Sequence, residues 1–166
     1  MPKPLDDPEG VARKVIYDRL AVRAQSRSDL AQALAKKQVP EEVAEAMLDK
    51  FEAAGFIDDE DFARAWVQSR QRSKGLSSRV LAVELRRKGV DAEISKEVLA
   101  ELDPAEEIQS AHRLVQAKLR SVSRFDDTTK IRRLTAMLAR KGYSPQVAFD
   151  VVREELGAEA EALDSM

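Results

Sequence analysis

The sequence of 166 residues contains no cysteine and little glycine or proline. Without cysteine there are no disulfides, thiolate metal sites or cysteine nucleophiles, which suits a reducing cytoplasm. Glycine and proline number six each, roughly 7% together against an average near 12%, which disfavours turn-rich β architectures. No apolar run approaches the ~20 residues of a membrane span, and the N-terminus lacks the apolar segment of a signal peptide. We therefore expect a cytoplasmic protein with no membrane contact.

Residues that would build a catalytic or metal site are also scarce. There is no phosphate-binding loop and no G-x-G-x-x-G motif. His112 is the only histidine, so a metal site or a catalytic triad lacks its other members, and we expect a helix-surface or half-buried side chain. Four consecutive acids, Asp58 to Asp61, would point in different directions from a helix start, so we interpret them as a cap that complements the helix dipole. The sequence predicts no enzyme, no cofactor and no metal.

Apolar residues recur at helical spacing along the whole chain. We count nine helices and no strand, so the predicted fold class is all-α. The first helix is expected at about residues 9–24. The stripes of the first three helices consist of Val15, Leu20 and Val22, then Leu30 and Leu34, then Val43, Met47, Leu48 and Phe51.

Capping residues mark where these helices begin and end. Predicted starts are Ser28, Pro40, Asp103-Pro104 and Ser144-Pro145. Four glycines follow apolar stretches, as glycines do just after a helix C-terminus. They are Gly55, Gly89, Gly142 and Gly157.

One six-residue pattern occurs three times. Leu34-Ala35-Lys36-Lys37-Gln38-Val39 aligns with Leu85–Val90 and with Leu138–Tyr143, at offsets of 51 and 53 residues. Apolar positions keep their places while surface positions differ, which indicates three tandem three-helix repeats. The predicted repeats cover residues 9–55, 56–102 and 103–157, followed by a disordered acidic tail at 158–166. A tetratricopeptide-type protein adaptor has a repeat of 34 residues, which does not match these offsets. We therefore rank the adaptor function last among the possible functions.

A net charge of −2 hides blocks of opposite sign. Residues 41–61 hold nine acids against one base, and residues 64–88 hold eight bases against one acid. Residues 113–141 hold nine bases against two acids, and residues 150–166 are acidic again.

The basic blocks form similar helix faces in the second and third repeats. Arg79, Arg86 and Arg87 lie largely opposite the Leu81/Leu85 stripe, and Arg132, Arg133 and Arg140 face away from the Leu134/Leu138 stripe in the third repeat. Arg79 aligns with Arg132, Arg87 with Arg140 and Lys88 with Lys141. One interpretation is a solvated face with cations at helix C-termini. Because the face is duplicated, we favour a binding surface for phosphate oxygens or for acidic patches on a protein. The candidate residues are Arg70, Arg72, Lys74, Arg79, Arg86, Arg87, Lys88, Arg132, Arg133, Arg140 and Lys141.

The segment Gly55-Phe56-Ile57-Asp58-Asp59-Glu60-Asp61-Phe62-Ala63-Arg64 resembles the signature of the RecX family, the bacterial regulators of the RecA recombinase. The likeness continues through Gly75, Leu81, Glu84-Leu85 and Lys88-Gly89-Val90, and extends from residue 11 to about residue 156. One departure is Gln38, where the family often has glycine; we expect ordinary helical geometry there.

The resemblance implies an elongated, curved array of three helical repeats. It also implies binding to the RecA–DNA filament, with restraint of filament growth, strand exchange and the damage response. Direct contact with single- or double-stranded DNA stays open, and a monomer is the expected state. The alternative is a helical-repeat nucleic-acid binder that acts through charge alone. Phe56, Phe62 and Trp66 could form a stacking platform for bases, but we interpret them as core packing.

Overall fold

The computed structural model describes residues 4–166, and within them the chain forms nine α-helices and no β-strand. This confirms the all-α fold class. The helices are α1 (Pro8–Val22), α2 (Arg27–Lys36), α3 (Glu41–Ala53), α4 (Asp59–Lys74), α5 (Ser78–Arg87), α6 (Ala92–Ala100), α7 (Pro104–Val122), α8 (Asp127–Arg140) and α9 (Pro145–Asp164).

The helices form two compact units. Unit 1 contains the chain up to Trp66 together with Glu84–Val98, and unit 2 contains Val67–Val83 together with Leu99–Met166. The predicted repeat boundaries fall in the loops before α4 and α7. The unit boundaries fall elsewhere, because α4, α5 and α6 divide their residues between the two units. The repeat boundaries stay a prediction.

The core of unit 1 is built from α1, α2 and α3. Leu30, Leu34 and Leu48 are fully buried, as the predicted stripes require. The stripe of α1 was partly wrong, because Val22 is 81% exposed. Ile16 instead fills the core from this helix, with Val15 and Leu20 partly buried beside it.

The core of unit 2 is built from α7, α8 and α9. Leu134 and Leu138 of α8 are buried against Val115 of α7 and Val152 of α9. The aligned leucine pairs of α2, α5 and α8 are all buried; they are Leu30 and Leu34, Leu81 and Leu85, and Leu134 and Leu138. Their burial confirms the apolar alignment.

The helix starts agree with the sequence except at α2. Asp103 and Ser144 cap α7 and α9 as predicted, each followed by proline, and Pro40 precedes α3. Ser28 was the wrong choice for α2. The cap is Ser26, whose hydroxyl accepts a hydrogen bond from the Asp29 amide at 3.1 Å.

Three equivalent turns follow α2, α5 and α8. In each turn an amide donates to a carbonyl five residues earlier: Val39 to Leu34, Val90 to Leu85, and Tyr143 to Leu138, all at 3.1 Å. The residue before each donor has a left-handed backbone, with φ of 63° at Gln38, 73° at Gly89 and 97° at Gly142. Ordinary helical geometry was therefore the wrong expectation for Gln38.

The neighbouring repeat explains why two of these turns carry glycine. A Cβ atom at Gly89 would lie 2.2 Å from the side chain of Ser28, and one at Gly142 would lie 2.2 Å from the Ser77 hydroxyl. In both cases the close neighbour belongs to the preceding predicted repeat. At the equivalent turn of the first predicted repeat, the side chain of Gln38 is exposed.

Contacts between successive predicted repeats also cap α2 and α5, the second helix of the earlier repeat in each case. The Asp59 carboxylate of α4 accepts the Arg27 amide at the start of α2 at 2.9 Å. Glu107 of α7 accepts the Ser78 amide at the start of α5 at 2.7 Å. These free amides at helix N-termini need an acceptor, so each repeat satisfies groups of the one before it. Burial raises the pKa of Asp59, in spite of the hydrogen bond from the Arg27 amide.

The C-terminal part of the chain differs from the prediction. Gly157 does not end a helix, because α9 runs through it to Asp164. The structure therefore describes most of the segment from residue 158 as exposed helix, where the sequence predicted a disordered tail.

Candidate functional site

The structure exposes most of the basic residues that the sequence selected. Arg70 and Lys141 are half-buried, and Lys88 is discussed below. The exposed ones are Arg72, Lys74, Arg79, Arg86, Arg87, Arg132, Arg133 and Arg140.

Lys88 has partners within unit 1. Its ammonium lies 3.3 Å from an Asp29 carboxylate oxygen and 5.0 Å from the centre of the Trp66 ring. Trp66 also donates from Nε1 to Glu84 at 3.1 Å and stacks on Phe62 with ring centres 5.9 Å apart. These contacts confirm that Phe62 and Trp66 pack within the fold, and they give Lys88 a structural task beside its predicted binding role. Core packing was the wrong expectation for Phe56, which is 59% exposed.

Three of the predicted arginines meet in one depression of unit 2. This depression, here called the basic cleft, lies between the C-terminal half of α7 and α8 and has a volume of about 610 Å³. Five cationic side chains and no carboxylate line it. Its lining residues are Lys118, Ser121, Val122, Arg124, Phe125, Arg132, Arg133, Leu134, Ala136, Met137 and Arg140.

Helix capping sets the position of the basic side chains on α8. Asp126 accepts the Thr129 amide at 2.8 Å and begins the helix. The hydrogen bonds from Thr129 and the nearby positive charge of Arg132 hold the pKa of Asp126 below its usual value. Leu134 and Leu138 bury the opposite stripe of α8, so Arg132, Arg133 and Arg140 remain at the surface.

Phe125 holds two arginines at the mouth of the basic cleft. The guanidinium carbon of Arg133 lies 4.2 Å from the centre of the ring, and that of Arg124 lies 4.8 Å from it. Phe125 itself is half-buried and packs against the core of unit 2. The ring therefore has a fixed position from which it orients both guanidinium groups.

The positive charge of the basic cleft is not neutralised by ion pairs. Throughout residues 4–166, none of its five cations has a carboxylate oxygen within 4.0 Å. By contrast, Arg27 in unit 1 pairs with Glu45, Asp49 and Glu52. A concave surface with unpaired guanidinium groups is suited to oxyanions such as phosphate.

Sequence reasoning identified only part of this cleft. It selected Arg132, Arg133 and Arg140 but missed Lys118, Arg124 and Phe125. The available signal was the adjacency of an arginine and an aromatic residue just before an N-capping aspartate. The contact between Phe125 and Arg133, eight positions apart, follows from the turn between α7 and α8.

The acidic run at the start of α4 has the capping role that the sequence predicted. Asp58 accepts the Asp61 amide at 3.1 Å, and Glu60 pairs with Arg64 at 2.6 Å. In the part of the chain that the structure describes, no three metal-binding side chains form a group that could hold an ion.

His112 is half-buried on α7, as expected, and its Nδ1 lies 2.7 Å from Glu155 of α9. No helix among the described residues has the length and apolar character needed to span a bilayer.

Comparison with known proteins decides the family. The family model for the second three-helix domain of RecX matches residues 58–99, and the model for the third matches residues 105–152. The regulatory protein RecX of Mycolicibacterium smegmatis is 47% identical over 158 residues, which cover 92% of this chain and 84% of that protein. The chain belongs to the RecX family. The regulatory protein RecX of Amycolatopsis mediterranei is also similar, with 44% identity over 92% of this chain and 89% of that protein.

Solved RecX structures share the fold. The crystal structure of RecX from Lactobacillus salivarius matches with a TM-score of 0.79 and 17% identity, over 91% of this chain and 98% of that one. Another crystal structure of regulatory protein RecX matches with a TM-score of 0.78 and 22% identity, over 90% of this chain and 73% of that one. The resemblance found in the sequence is therefore confirmed, as is the helical fold that it implied.

Proposed function

We propose that this RecX-family chain is a negative regulator of RecA. In this proposal it binds the RecA–DNA filament and restrains filament extension, strand exchange, ATP hydrolysis and the damage response. Identity of 44–47% with regulatory RecX proteins over at least nine-tenths of the chain carries the proposal. The chain acts by binding, as a cytoplasmic monomer without a catalytic site or cofactor.

The distribution of charge supports a polyanionic partner. The filament presents both DNA phosphates and protein carboxylates, and the basic cleft offers five cations that form no ion pair with any residue from 4 to 166. Further exposed arginines lie on α5. Several such contacts along one chain raise the effective concentration of each, so weak individual contacts can give long residence on a filament.

The direct test is a titration of the protein into RecA filaments on single-stranded DNA while ATP hydrolysis and filament length are followed. We expect both to fall with added protein. A variant with Arg79→Glu, Arg86→Glu and Arg87→Glu should inhibit far less, since like charges then face the anionic partner. Surface changes of this kind typically alter stability by less than about 0.5 kcal/mol.

A matched control changes three exposed arginines in another part of the chain. The variant with Arg13→Glu, Arg19→Glu and Arg23→Glu has the same net charge, and these residues were not among the predicted binding positions. It should inhibit nearly as well as the parent. If the folded α5 variant inhibits as strongly as the parent at physiological salt, the α5 face is only a solvated surface.

The second candidate is a nucleic-acid binder that acts through charge alone. The absence of any carboxylate from the lining of the basic cleft favours it. Such a protein would bind naked DNA as tightly as it binds the filament. A filament regulator should prefer the filament, so parallel titrations on naked single-stranded DNA separate the two functions.

A further inference from the structure

The contacts of Phe125 leave the adjoining guanidinium groups free to bind a ligand. A guanidinium that stacks on an aromatic ring uses its face, while its N–H donors point outward in the plane. The guanidinium carbons of Arg133 and Arg124 lie 4.2 Å and 4.8 Å from the centre of the Phe125 ring. No carboxylate among the described residues pairs with either. Two exposed guanidinium groups without a carboxylate partner among the described residues are therefore gathered around one ring in the basic cleft.

The other walls of the cleft complete an anion-binding site. Lys118 comes from α7, and Arg132 and Arg140 come from positions about two turns apart on α8. The positions of Arg132 and Arg140, eight residues apart, lie about 12 Å apart along a helix that rises 1.5 Å per residue. This spacing suits a chain of linked phosphates better than a single small anion.

We propose that the basic cleft binds the phosphodiester backbone of single-stranded DNA, with Phe125 as the positioning residue for Arg124 and Arg133. The proposal rests on the proposed function and assigns the phosphate contacts of that function to this cleft. A recess between two helices admits the flexible backbone of a single strand, as in other cationic grooves that track such strands. A rigid duplex contacts only the rim.

The first experiment measures binding of a short fluorescent oligodeoxythymidylate to the full chain across a range of salt concentrations. The variant carries Arg124→Gln and Arg133→Gln. Since a hydrogen bond to a charged group is strong, we expect roughly tenfold or more weaker binding. The log–log salt slope should flatten by about 1.4, which is about 0.7 for each of the two phosphates that the variant no longer neutralises.

The matched control carries Arg120→Gln and Arg153→Gln. Both arginines are exposed, belong to unit 2 and lie outside the basic cleft, so the net charge changes equally. We expect binding within about twofold of the parent, because only screened long-range attraction is removed. Equal losses of affinity in the control and in the cleft variant would overturn the proposal, since net charge would then explain binding.

The second experiment tests Phe125 without altering any charge. Phe125→Leu removes the ring and should weaken oligonucleotide binding several-fold, because the two arginines lose their orientation. Phe125→Tyr keeps the ring and should restore binding. If the Phe125→Leu and Phe125→Tyr variants have the same melting temperature and bind the oligonucleotide equally well, the ring only fills space.

Duplex DNA and acidic protein surfaces are the competing ligands. A double-stranded oligonucleotide of the same length should bind more weakly; tighter binding of the duplex overturns the assignment to single strands. If the arginine variant loses filament inhibition while its binding to the oligodeoxythymidylate is unchanged, the cleft contacts protein carboxylates. That outcome overturns this inference and leaves the proposed function intact.

Failure of the proposed function gives a different pattern. In that case the parent chain does not inhibit RecA, but the cleft variant still loses oligonucleotide binding relative to its control. Because Arg132 and Arg140 are exposed, a second variant with Arg132→Gln and Arg140→Gln repeats the test if the first fails to fold. Unchanged binding in that folded variant would count against the cleft.

Discussion

At the scale of single residues, the turn that follows α2 differs chemically from its two equivalents. All three turns have the same hydrogen bond and a left-handed residue. Gly89 and Gly142 have no room for a Cβ atom, whereas Gln38 is exposed. The left-handed backbone still costs a residue with a side chain about 1 kcal/mol, so Gln38 stores strain that the other turns avoid.

Replacement of Gln38 by glycine should therefore stabilise the protein. We expect Gln38→Gly to raise the free energy of unfolding by up to about 0.5 kcal/mol, because relief of strain exceeds the entropy gained by the unfolded chain. Urea denaturation followed by circular dichroism measures the change. As a contrast, Gly89→Ala should destabilise the protein, since its Cβ would lie 2.2 Å from the Ser28 side chain. A less stable Gln38→Gly variant would contradict the strain argument.

At the scale of helices, one tyrosine connects three elements of unit 2. Tyr143, in the loop between α8 and α9, donates its hydroxyl to the Gly75 carbonyl at 2.8 Å and lies 3.2 Å from the Glu107 carbonyl. Gly75 directly follows α4, and Glu107 belongs to the first turn of α7. Burial, together with the nearby negative charge of Glu107, raises the pKa of Tyr143 to about 12, because both disfavour the charged phenolate.

Because of the hydrogen bond from Tyr143, the free energy of unfolding should fall as the pH rises in the alkaline range. At neutral pH, Tyr143→Phe should lower the free energy of unfolding by about 1–2 kcal/mol, since it removes the buried hydrogen bond to the Gly75 carbonyl. The folded pKa lies above the unfolded value near 10, so this stabilisation is complete below about pH 10 and is lost as pH rises towards 12.

Denaturation of parent and Tyr143→Phe protein at several pH values measures the difference. Tyrosine absorbance in a Tyr17→Phe background follows Tyr143 alone, because the chain has two tyrosines. An unchanged difference between parent and variant from pH 9 to pH 12 would contradict the link between ionisation and stability.

At the scale of the whole molecule, the third predicted repeat supplies most of unit 2. The buried cluster of this unit lies between Ala111 and Val152, within α7 to α9. The same helices also give α5 its capping carboxylate from Glu107, and the Lys141 carbonyl just after α8 accepts the Ser77 amide. Val67–Val83 therefore depends on the third repeat for its packing within the unit.

Deletion of residues 104–166 should reduce both stability and activity. It removes the unit 2 core, so we expect a lower melting temperature, and it removes the basic cleft, so RecA inhibition should be much weaker. Melting by circular dichroism and filament ATP hydrolysis at equal protein concentration test the two effects. Unchanged inhibition would show that the third repeat serves only as a cap.

Much of the fold could be predicted because its signals are local. The leucine pairs of α2 and α8, and the caps Asp103 and Ser144, depend on residues within a turn or two of each other. Errors arose where local signals compete. Ser26 and Ser28 are both plausible caps, and the choice between them depends on the Lys88 carbonyl, which accepts the Ser26 hydroxyl at 2.7 Å.

The candidate site was only partly predictable for the same reason. Exposure of Arg132, Arg133 and Arg140 follows from helical periodicity alone. The partners of Lys88 and the placement of Arg133 on Phe125 depend on residues from other elements. Because a run of basic residues looks the same whether or not its cations form ion pairs, the sequence could not separate Lys88 from Arg132, Arg133 and Arg140, which form no ion pair with the described residues.

By itself, the sequence determined the helical class, the threefold repetition and the family, since apolar period, capping residues and a signature motif are properties of neighbouring residues. Only the tertiary structure decided which cations remain unpaired, and which glycines are required by a neighbour. Both depend on distances between residues far apart in the chain, such as Gly89 and Ser28 or Phe125 and Arg133. Packing sets these distances, because a buried helix face fixes where the opposite, charged face must lie.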